Sequence, residues 1–315
     1  MRFFISSNIK SNPPLYVAVV LFLVSALVYW VIAWFVYSSK YGLNYERMFT
    51  YFFTDPLYPE RIPLSQVLED VHINFFLVTV FLIVLASVFI HKCVRDSIKY
   101  TLILSSFVSV LLDLGSSFLI YFLSPLFIYL KIASFIAFQV STGIMILLSI
   151  KLYLTREKEE PPERSILYTL VFMFTSTVFF FVLINFFLFA TKLGVTPQQV
   201  AKYYLGDPAS FIRPKTFEGL LDVIAPHTVA MVVYLFALVH FSFFTNLKRK
   251  VFWSCVCMVS AILDNLSGLM IRFLSDHFAY LKIISFLLLQ VSMLYLSIVV
   301  VVSILRHRAK AIVLL

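Results

Sequence analysis

The sequence predicts an all-α integral membrane protein in which eight transmembrane helices form two parallel four-helix repeats. Of its 315 residues, 61% are hydrophobic and 13% charged, which is too apolar for a soluble domain. Apolar runs of about 18 residues or more recur, and each is long enough to cross roughly 30 Å of hydrocarbon. These runs do not alternate in polarity as the strands of a barrel would, so helices are expected to satisfy the backbone.

We expect eight spans, separated by short connections and two long loops. The predicted spans cover about 15–37, 71–90, 100–123, 128–154, 166–190, 219–244, 251–274 and 279–305. The first run, which follows Pro13 and Pro14, is too long for a cleavable signal and has no small-residue cleavage site. It is therefore expected to remain as an anchor.

Basic residues predict the orientation in the membrane. The connections 91–99 and 245–250 and the tail 306–310 are rich in Lys and Arg, whereas the hairpin tips at the opposite end contain neither. The positive-inside rule then places both termini in the cytoplasm and the long loops 38–70 and 191–218 outside. The net charge of +9 is read as a topology signal, so no nucleic-acid partner is expected. Short loops suit the plasma (inner) membrane of a prokaryote.

A direct repeat divides the chain. Residues 112–141 align without a gap with residues 263–292, with 17 identities in 30 positions. The repeated polar residues are Asp113 and Asp264, Lys131 and Lys282, and Gln139 and Gln290. We expect one repeat in residues 1–157 and the other in 158–315. Because each contributes four spans, both run in the same direction and should be related by a pseudo-twofold axis along the membrane normal.

Each long loop is expected to carry a short helix at the membrane surface. In the second loop, Thr196 is placed as N-cap, Pro197 at the first helical position, and Gln199 where it completes a capping box. Gly206 should end this helix. Asn44 is the corresponding cap in the first loop, and both helices are expected to lie over their bundles.

Two intramembrane aspartates and two lysines are candidates for function, because ionisable groups are costly in a bilayer. Asp113 and Asp264 each lie in a seam of small residues, so they should face protein. Lys131 and Lys282 begin the following spans, roughly 8 Å nearer the surface. One interpretation is an Asp–Lys pair that locks each hairpin. The other is that the lysines reach outward to anionic headgroups or ligand groups.

The sharpest candidates for cofactor binding are His72 and His227. Each lies near the outer end of an inward-running span, on the same helical face and at similar depth in the two halves. If they converge, they would ligate the iron of one b-type haem, with Glu69 orienting His72 and Arg272 or a hairpin lysine available for propionates. The alternative is a pair of hydrogen-bonded interfacial histidines.

Four side-chain amides place further polar groups within the predicted spans. Gln139 and Gln290 occupy matching depths, and Asn185 and Asn265 lie on neighbouring spans. Interhelical hydrogen bonding is the usual role of such residues in membrane helices. The alternative is that they line a cavity for quinone or another substrate.

The plan of two four-helix halves with long outer loops resembles that of haem A synthase, and Glu69 to His72 is similar to a Glu-x-x-His pairing. Those enzymes carry histidines on four helices, whereas here the fourth and eighth spans offer Gln139 and Gln290. The resemblance implies a redox role.

Three functions remain open. The first is a membrane protein of an electron-transport system that binds haem b or quinone in its outer half, as a subunit of a respiratory complex. The second is a non-catalytic structural or assembly subunit. The third is a small-solute transporter that uses the Asp–Lys pairs.

Overall fold

The structure is a computed structural model that describes residues 13–54, 57, 60–91, 94–155, 164–245 and 248–313. Within these residues it contains ten α-helices and no β-strand. The helices are α1 (Pro13–Lys40), α2 (Tyr45–Phe53), α3 (Leu64–Phe89), α4 (Asp96–Phe122), α5 (Phe127–Leu154), α6 (Arg164–Lys192), α7 (Pro197–Leu205), α8 (Phe217–Ser242), α9 (Lys250–Phe273) and α10 (Phe278–Val313).

Eight of these helices, all but α2 and α7, are long and apolar enough to cross a membrane, which confirms the predicted number of spans. The helices extend beyond the predicted spans where their ends are polar. Helix α3 begins at Leu64 rather than near 71, because Glu69 and Asp70 lower the local hydropathy without ending the helix. Hydropathy detects the apolar part of a helix and misses its polar first turns.

The two short loop helices are formed as predicted. The Asn44 side chain accepts a hydrogen bond from the Arg47 backbone N–H at 3.0 Å and so caps α2. Thr196 and Gln199 form the predicted capping box of α7, and Gly206 ends that helix. We call the end of the helices at which α2 and α7 lie the lid side.

The repeat also covers the junction between each long helix and its short helix, where the sequence predicts the matching caps Asn44 and Thr196. Lys40, Gly42 and Asn44 correspond to Lys192, Gly194 and Thr196, 152 residues later. Both glycines have positive φ, of 76° and 84°, a conformation that favours residues without Cβ and reverses the chain after a helix. The repeat therefore extends upstream of its most similar segment.

Contacts between residues divide the chain into two compact units, residues 1–174 and 175–315. In the first unit α5 packs against α4, α1, α3 and α2. In the second unit α10 packs against α9, α8 and α7. The hairpins α4–α5 and α9–α10 are thus the centres of their units. The predicted boundary at 157/158 lies outside the described residues and stays a prediction.

Both hairpins turn in the same way. The Ser124 hydroxyl oxygen accepts a hydrogen bond from the Leu126 backbone N–H at 3.3 Å. The Ser275 hydroxyl oxygen accepts one from the His277 backbone N–H at 3.3 Å. This shared bond explains why Phe-Leu-Ser recurs at both tips although the residues that follow it differ.

Helix α7 is packed onto its unit by Tyr204. The Tyr204 ring belongs to a buried cluster with Val200, Leu220, Ile271 and Ala279. A Cβ atom added to Gly268 of α9 would lie 2.8 Å from the ring atom Cε1 of Tyr204. Glycine at 268 therefore allows the ring to lie directly on the α9 backbone.

We predict that Gly268→Ala loosens α7. The added methyl group must displace Tyr204, and overpacking of this kind costs about 1–3 kcal/mol. Thermal unfolding in detergent should shift to lower temperature, and protease should cut residues 206–216 faster. Gly115→Ala in α4 is the matched control, because a Cβ there meets nothing within 4 Å. Equal behaviour of the two variants would contradict the packing of Tyr204 on Gly268.

Candidate functional site

The first hairpin is closed by an ion pair between α4 and α5. The ammonium Nζ of Lys131 lies 3.2 Å from Oδ1 of Asp113 and donates to the Asp113 backbone oxygen at 3.0 Å. The Tyr37 hydroxyl of α1 donates to the same carboxylate at 3.3 Å. Lys131 is 1% exposed. Lys131 therefore pairs with Asp113 inside the hairpin and does not reach outward to headgroups or ligand groups.

Aromatic rings of α1 and α5 lie beside this pair. The Lys131 ammonium lies 4.9 Å from the centre of the Tyr41 ring, a distance at which a cation is attracted to the ring face. The Tyr37 ring stacks on Phe135 with centroids 3.5 Å apart, and Trp34 meets Phe135 edge-on at 5.2 Å. The charged pair is thereby shielded from lipid.

The second hairpin has the same lock. In it Nζ of Lys282 lies 2.9 Å from Oδ1 of Asp264 and donates to the Asp264 backbone oxygen at 2.8 Å. The aromatic stack recurs, with Phe189 stacked on Phe286 at 4.2 Å and Phe186 edge-on at 5.4 Å. Phe189 stands where the first unit has Tyr37, so the hydroxyl that binds Asp113 has no equivalent on this helix.

Tyr204 of α7 lies beside the second pair instead. Burial raises the pKa of Tyr204, and the nearby Asp264 carboxylate raises it further while the Lys282 ammonium opposes this. The phenol therefore remains protonated and is available as a hydrogen-bond donor at the inner face of α7.

Repeated serines support both locks. The Ser116 hydroxyl donates to the Asp113 backbone oxygen at 2.6 Å, and the Ser267 hydroxyl donates to that of Asp264 at 2.7 Å. Each of these carbonyl oxygens thus accepts from a serine and from a lysine. This explains why the serines recur with the charged residues.

The second unit differs from the first by three polar residues beside its lock, which we call the polar seam: His227 and Thr228 of α8 and Asn265 of α9. The Asn265 amide Nδ2 lies 3.5 Å from the Thr228 hydroxyl and 3.3 Å from Sδ of Met231. Asn265 follows Asp264 directly in α9, so the polar seam adjoins the ion pair.

The first unit is apolar at the corresponding positions. His227, Thr228 and Asn265 correspond to Phe75, Phe76 and Leu114. These three are buried, whereas the residues of the polar seam are all partly exposed. Helix α8 is also thinly covered, with 17% of its most apolar window buried against 56% for α3. The polar seam is thus less covered than the corresponding residues of the first unit.

The other predicted site residues belong to helices of both units. His72 and Glu69 are partly exposed on α3 of the first unit, and Arg272 of α9 donates from Nε to the Lys215 backbone oxygen at 2.9 Å. His72 and His227 belong to different units, so their shared ligation of a haem stays a prediction. Among the described residues, no three His, Cys, Asp or Glu side chains are grouped to hold a metal ion.

The repeated glutamines have different surroundings. Oε1 of Gln290 accepts a hydrogen bond from the Asn185 amide at 3.3 Å. Gln139 is fully buried, and its amide has no hydrogen-bond partner among the described residues. The position that corresponds to Asn185 in the first unit is Ala33, which explains the missing bond.

These features define a polytopic, all-helical membrane protein built from two repeats. The chain belongs to the Aq_1264_TM family, described as a transmembrane helical domain, which matches residues 42–161 and 194–311. The second matched region begins 152 residues after the first, which is close to the offset between the two halves of the sequence repeat. Comparisons with curated proteins and with solved structures gave no match.

We predict that Lys131→Met and Asp113→Asn each destabilise the first unit, because removing one partner of a buried pair leaves the other uncompensated. The cost of such a change is about 3–5 kcal/mol. The double variant should recover most of this loss in thermal unfolding. Lys202→Met is the control, because its pair with Asp207 is exposed and should contribute about 1 kcal/mol or less. Additive losses in the double variant would contradict an internal lock.

Proposed function

We propose that the second unit binds a membrane-dissolved molecule of the quinone class in the half of the bilayer nearest the lid side, as part of an electron-transport system. The polar seam carries this proposal, because it combines hydrogen-bonding groups with partial exposure in a membrane-spanning region. On the basic connections of the sequence, we assign the lid side to the outside of a prokaryotic inner membrane.

Depth supports a ligand that comes from the bilayer. His227 and Asp264 lie ten and nine residues from the lid-side ends of α8 and α9, which corresponds to roughly 15 and 13 Å at 1.5 Å per residue. Polar groups at such depth normally face protein or a water-filled cavity, because lipid leaves them unsolvated. A ligand with carbonyl or hydroxyl oxygens would supply hydrogen bonds to the seam.

The chemistry of the seam suits a neutral ring that carries oxygens. The Thr228 hydroxyl already donates to the Ile224 backbone oxygen at 2.8 Å, so the His227 imidazole and the Asn265 amide are the groups that would donate to such a ring. Met231 supplies an adaptable apolar contact. Ligand sites typically combine an apolar lining with a few polar groups in this way. The ion pair between Asp264 and Lys282 does not contact the ligand in this proposal. It holds α9 against α10 and so fixes the position of α9 beside the ligand.

Haem b is the second candidate, because each half has one histidine near the lid-side end of α3 or α8. An absorption spectrum distinguishes it from quinone binding alone. Haem ligation predicts a Soret band that is lost in both His72→Ala and His227→Ala. A colourless protein that binds quinone would leave the first proposal standing and remove haem.

The two remaining functions make different predictions. A transporter that uses the ion pairs needs their charges to separate, yet each ammonium already has a carboxylate and a backbone oxygen as partners. A purely structural subunit does not need the polar seam. Failure of quinone to bind would favour the structural subunit.

We predict that decylubiquinone binds the purified protein and that His227→Phe and Asn265→Leu, which introduce the residues of the first unit, each weaken binding about tenfold through the loss of a hydrogen bond. Calorimetric titration in a fixed detergent measures this.

His240→Phe is the matched control for this experiment. It changes the same residue type on the same helix, thirteen residues from His227, and should leave the affinity unchanged. An affinity that is unchanged in both seam variants, or lowered equally in His240→Phe, would contradict the assignment of the site.

A further inference from the structure

Three cationic residues lie on the lid side of the second unit, outside the polar seam. Arg213 and Lys215 lie in the segment before α8, and Arg272 lies in the last turn of α9. The bond from Arg272 Nε to the Lys215 backbone oxygen, 2.9 Å long, joins the segment to α9. No ion pair of these three residues occurs within the part of the chain that the structure describes. We call Arg213, Lys215 and Arg272 the basic cluster.

The loop that carries the basic cluster is fixed by hydrogen bonds. Asp207 and Ile212 exchange two backbone bonds of 2.9 and 3.0 Å, and the Lys215 N–H donates to the Tyr204 oxygen at 3.0 Å. Pro214 restricts the preceding Arg213 to extended backbone.

The corresponding positions of the first unit do not form such a cluster. They are Arg61, Pro63 and Tyr121, and the Arg61 guanidinium lies over the Tyr121 ring at 5.7 Å. The second unit has therefore replaced one cation and its aromatic partner by three cations. Aromatic rings contact two of these cations, because Lys215 Nζ lies 4.6 Å from the centre of the Tyr203 ring and the Arg272 guanidinium lies 5.3 Å from that of Phe273. These contacts do not neutralise the positive charge, which an anion would do.

Neighbouring charges leave the basic cluster available. Lys202 is engaged by Asp207, whose pKa it holds below the usual range through a hydrogen bond. The nearest acids along the chain, Glu218 and Asp276, are exposed at the start of α8 and at the hairpin tip. Asp276 accepts from the Ser275 hydroxyl at 3.3 Å.

Exposed apolar side chains border the basic cluster. Phe211 is 94% exposed and has a φ of 55°, a left-handed conformation that is costly for a large residue. Phe217 and Phe273 are each about half exposed. Their rings meet edge-on at the ends of α8 and α9, with centroids 5.7 Å apart. A cationic site with an apolar border, at the end of membrane-spanning helices, matches the shape of a lipid headgroup and its first acyl carbons.

We propose that the basic cluster binds the phosphate of an anionic phospholipid on the lid side, with Phe211 and Phe273 against its acyl chains. This partner is chosen because its negative phosphate complements the three cations, and because the exposed phenylalanines continue the apolar surface of the membrane-spanning helices. Each basic side chain near an anionic membrane surface contributes about a fivefold gain in binding. The proposal is independent of the quinone site, because it uses none of the residues of the polar seam.

Native mass spectrometry of the full chain, titrated with phosphatidylglycerol or phosphatidylcholine, tests this. We expect the wild-type protein to retain phosphatidylglycerol preferentially. Arg213→Gln should lower that affinity about fivefold. It is the safest single variant, because Arg213 is exposed and makes no side-chain hydrogen bond within the described residues. Phe211→Gly should weaken binding without loss of thermal stability, since glycine relieves the positive φ.

Lys202→Gln and Arg61→Gln are the controls and should leave lipid retention unchanged, because Lys202 is paired with Asp207 and Arg61 belongs to the first unit, outside the basic cluster. Equal retention of the two lipids, or equal loss in the control variants, would overturn the proposal. Displacement of phosphatidylglycerol by millimolar inorganic phosphate would show a site for free phosphate instead. Loss of affinity for an acidic peptide but not for lipid in Arg213→Gln would assign the surface to a protein.

Discussion

The ion pair between the two helices of each hairpin is the interaction on which the rest of this structure depends. A lone lysine at membrane depth costs roughly 3 kcal/mol or more on insertion scales, and a lone aspartate costs a similar amount. Lys131 and Lys282 avoid that cost because each binds both the side chain and the backbone of its aspartate. Both bonds are made only when the two helices keep one register, so the pair sets the geometry of the hairpin.

Other repeated features follow from this constraint. Close approach of the two helices requires small residues near the aspartates, and Ser116 and Ser267 bind the carbonyl oxygens that the lysines also use. Aromatic rings of α1 and α6 then cover the lysine side of each hairpin, through Phe135 and Phe286. The ion pair and the aromatic cover occur in both units, although among the described residues Oδ1 of Asp264 has an ion-pair contact and no hydrogen bond, whereas Oδ1 of Asp113 has both. The second unit has polar residues where the first has a packed apolar core.

The sequence predicted the features that depend on local patterns. Eight spans follow from apolar runs, and α7 follows from the capping box of Thr196 and Gln199. The Asp–Lys pairs followed from spacing across a short turn. Contacts between distant helices were not predictable in the same way, as with the Tyr37 hydroxyl that reaches Asp113 from α1. A comparison of the halves at an offset of 152 could have located the polar seam, because Phe75 and Phe76 stand opposite His227 and Thr228.

By our proposal, the two units differ in function. The first unit contains the Asp–Lys pair and its aromatic cover, whereas the second contains these and a ligand site. Photolabelling with an azido-quinone, followed by mass spectrometry of the labelled peptides, tests this difference most directly. The account predicts label on α8 and α9 of the second unit, at residues 217–242 and 250–273. Equal or stronger labelling of their counterparts α3 and α4, at residues 64–89 and 96–122, would contradict it.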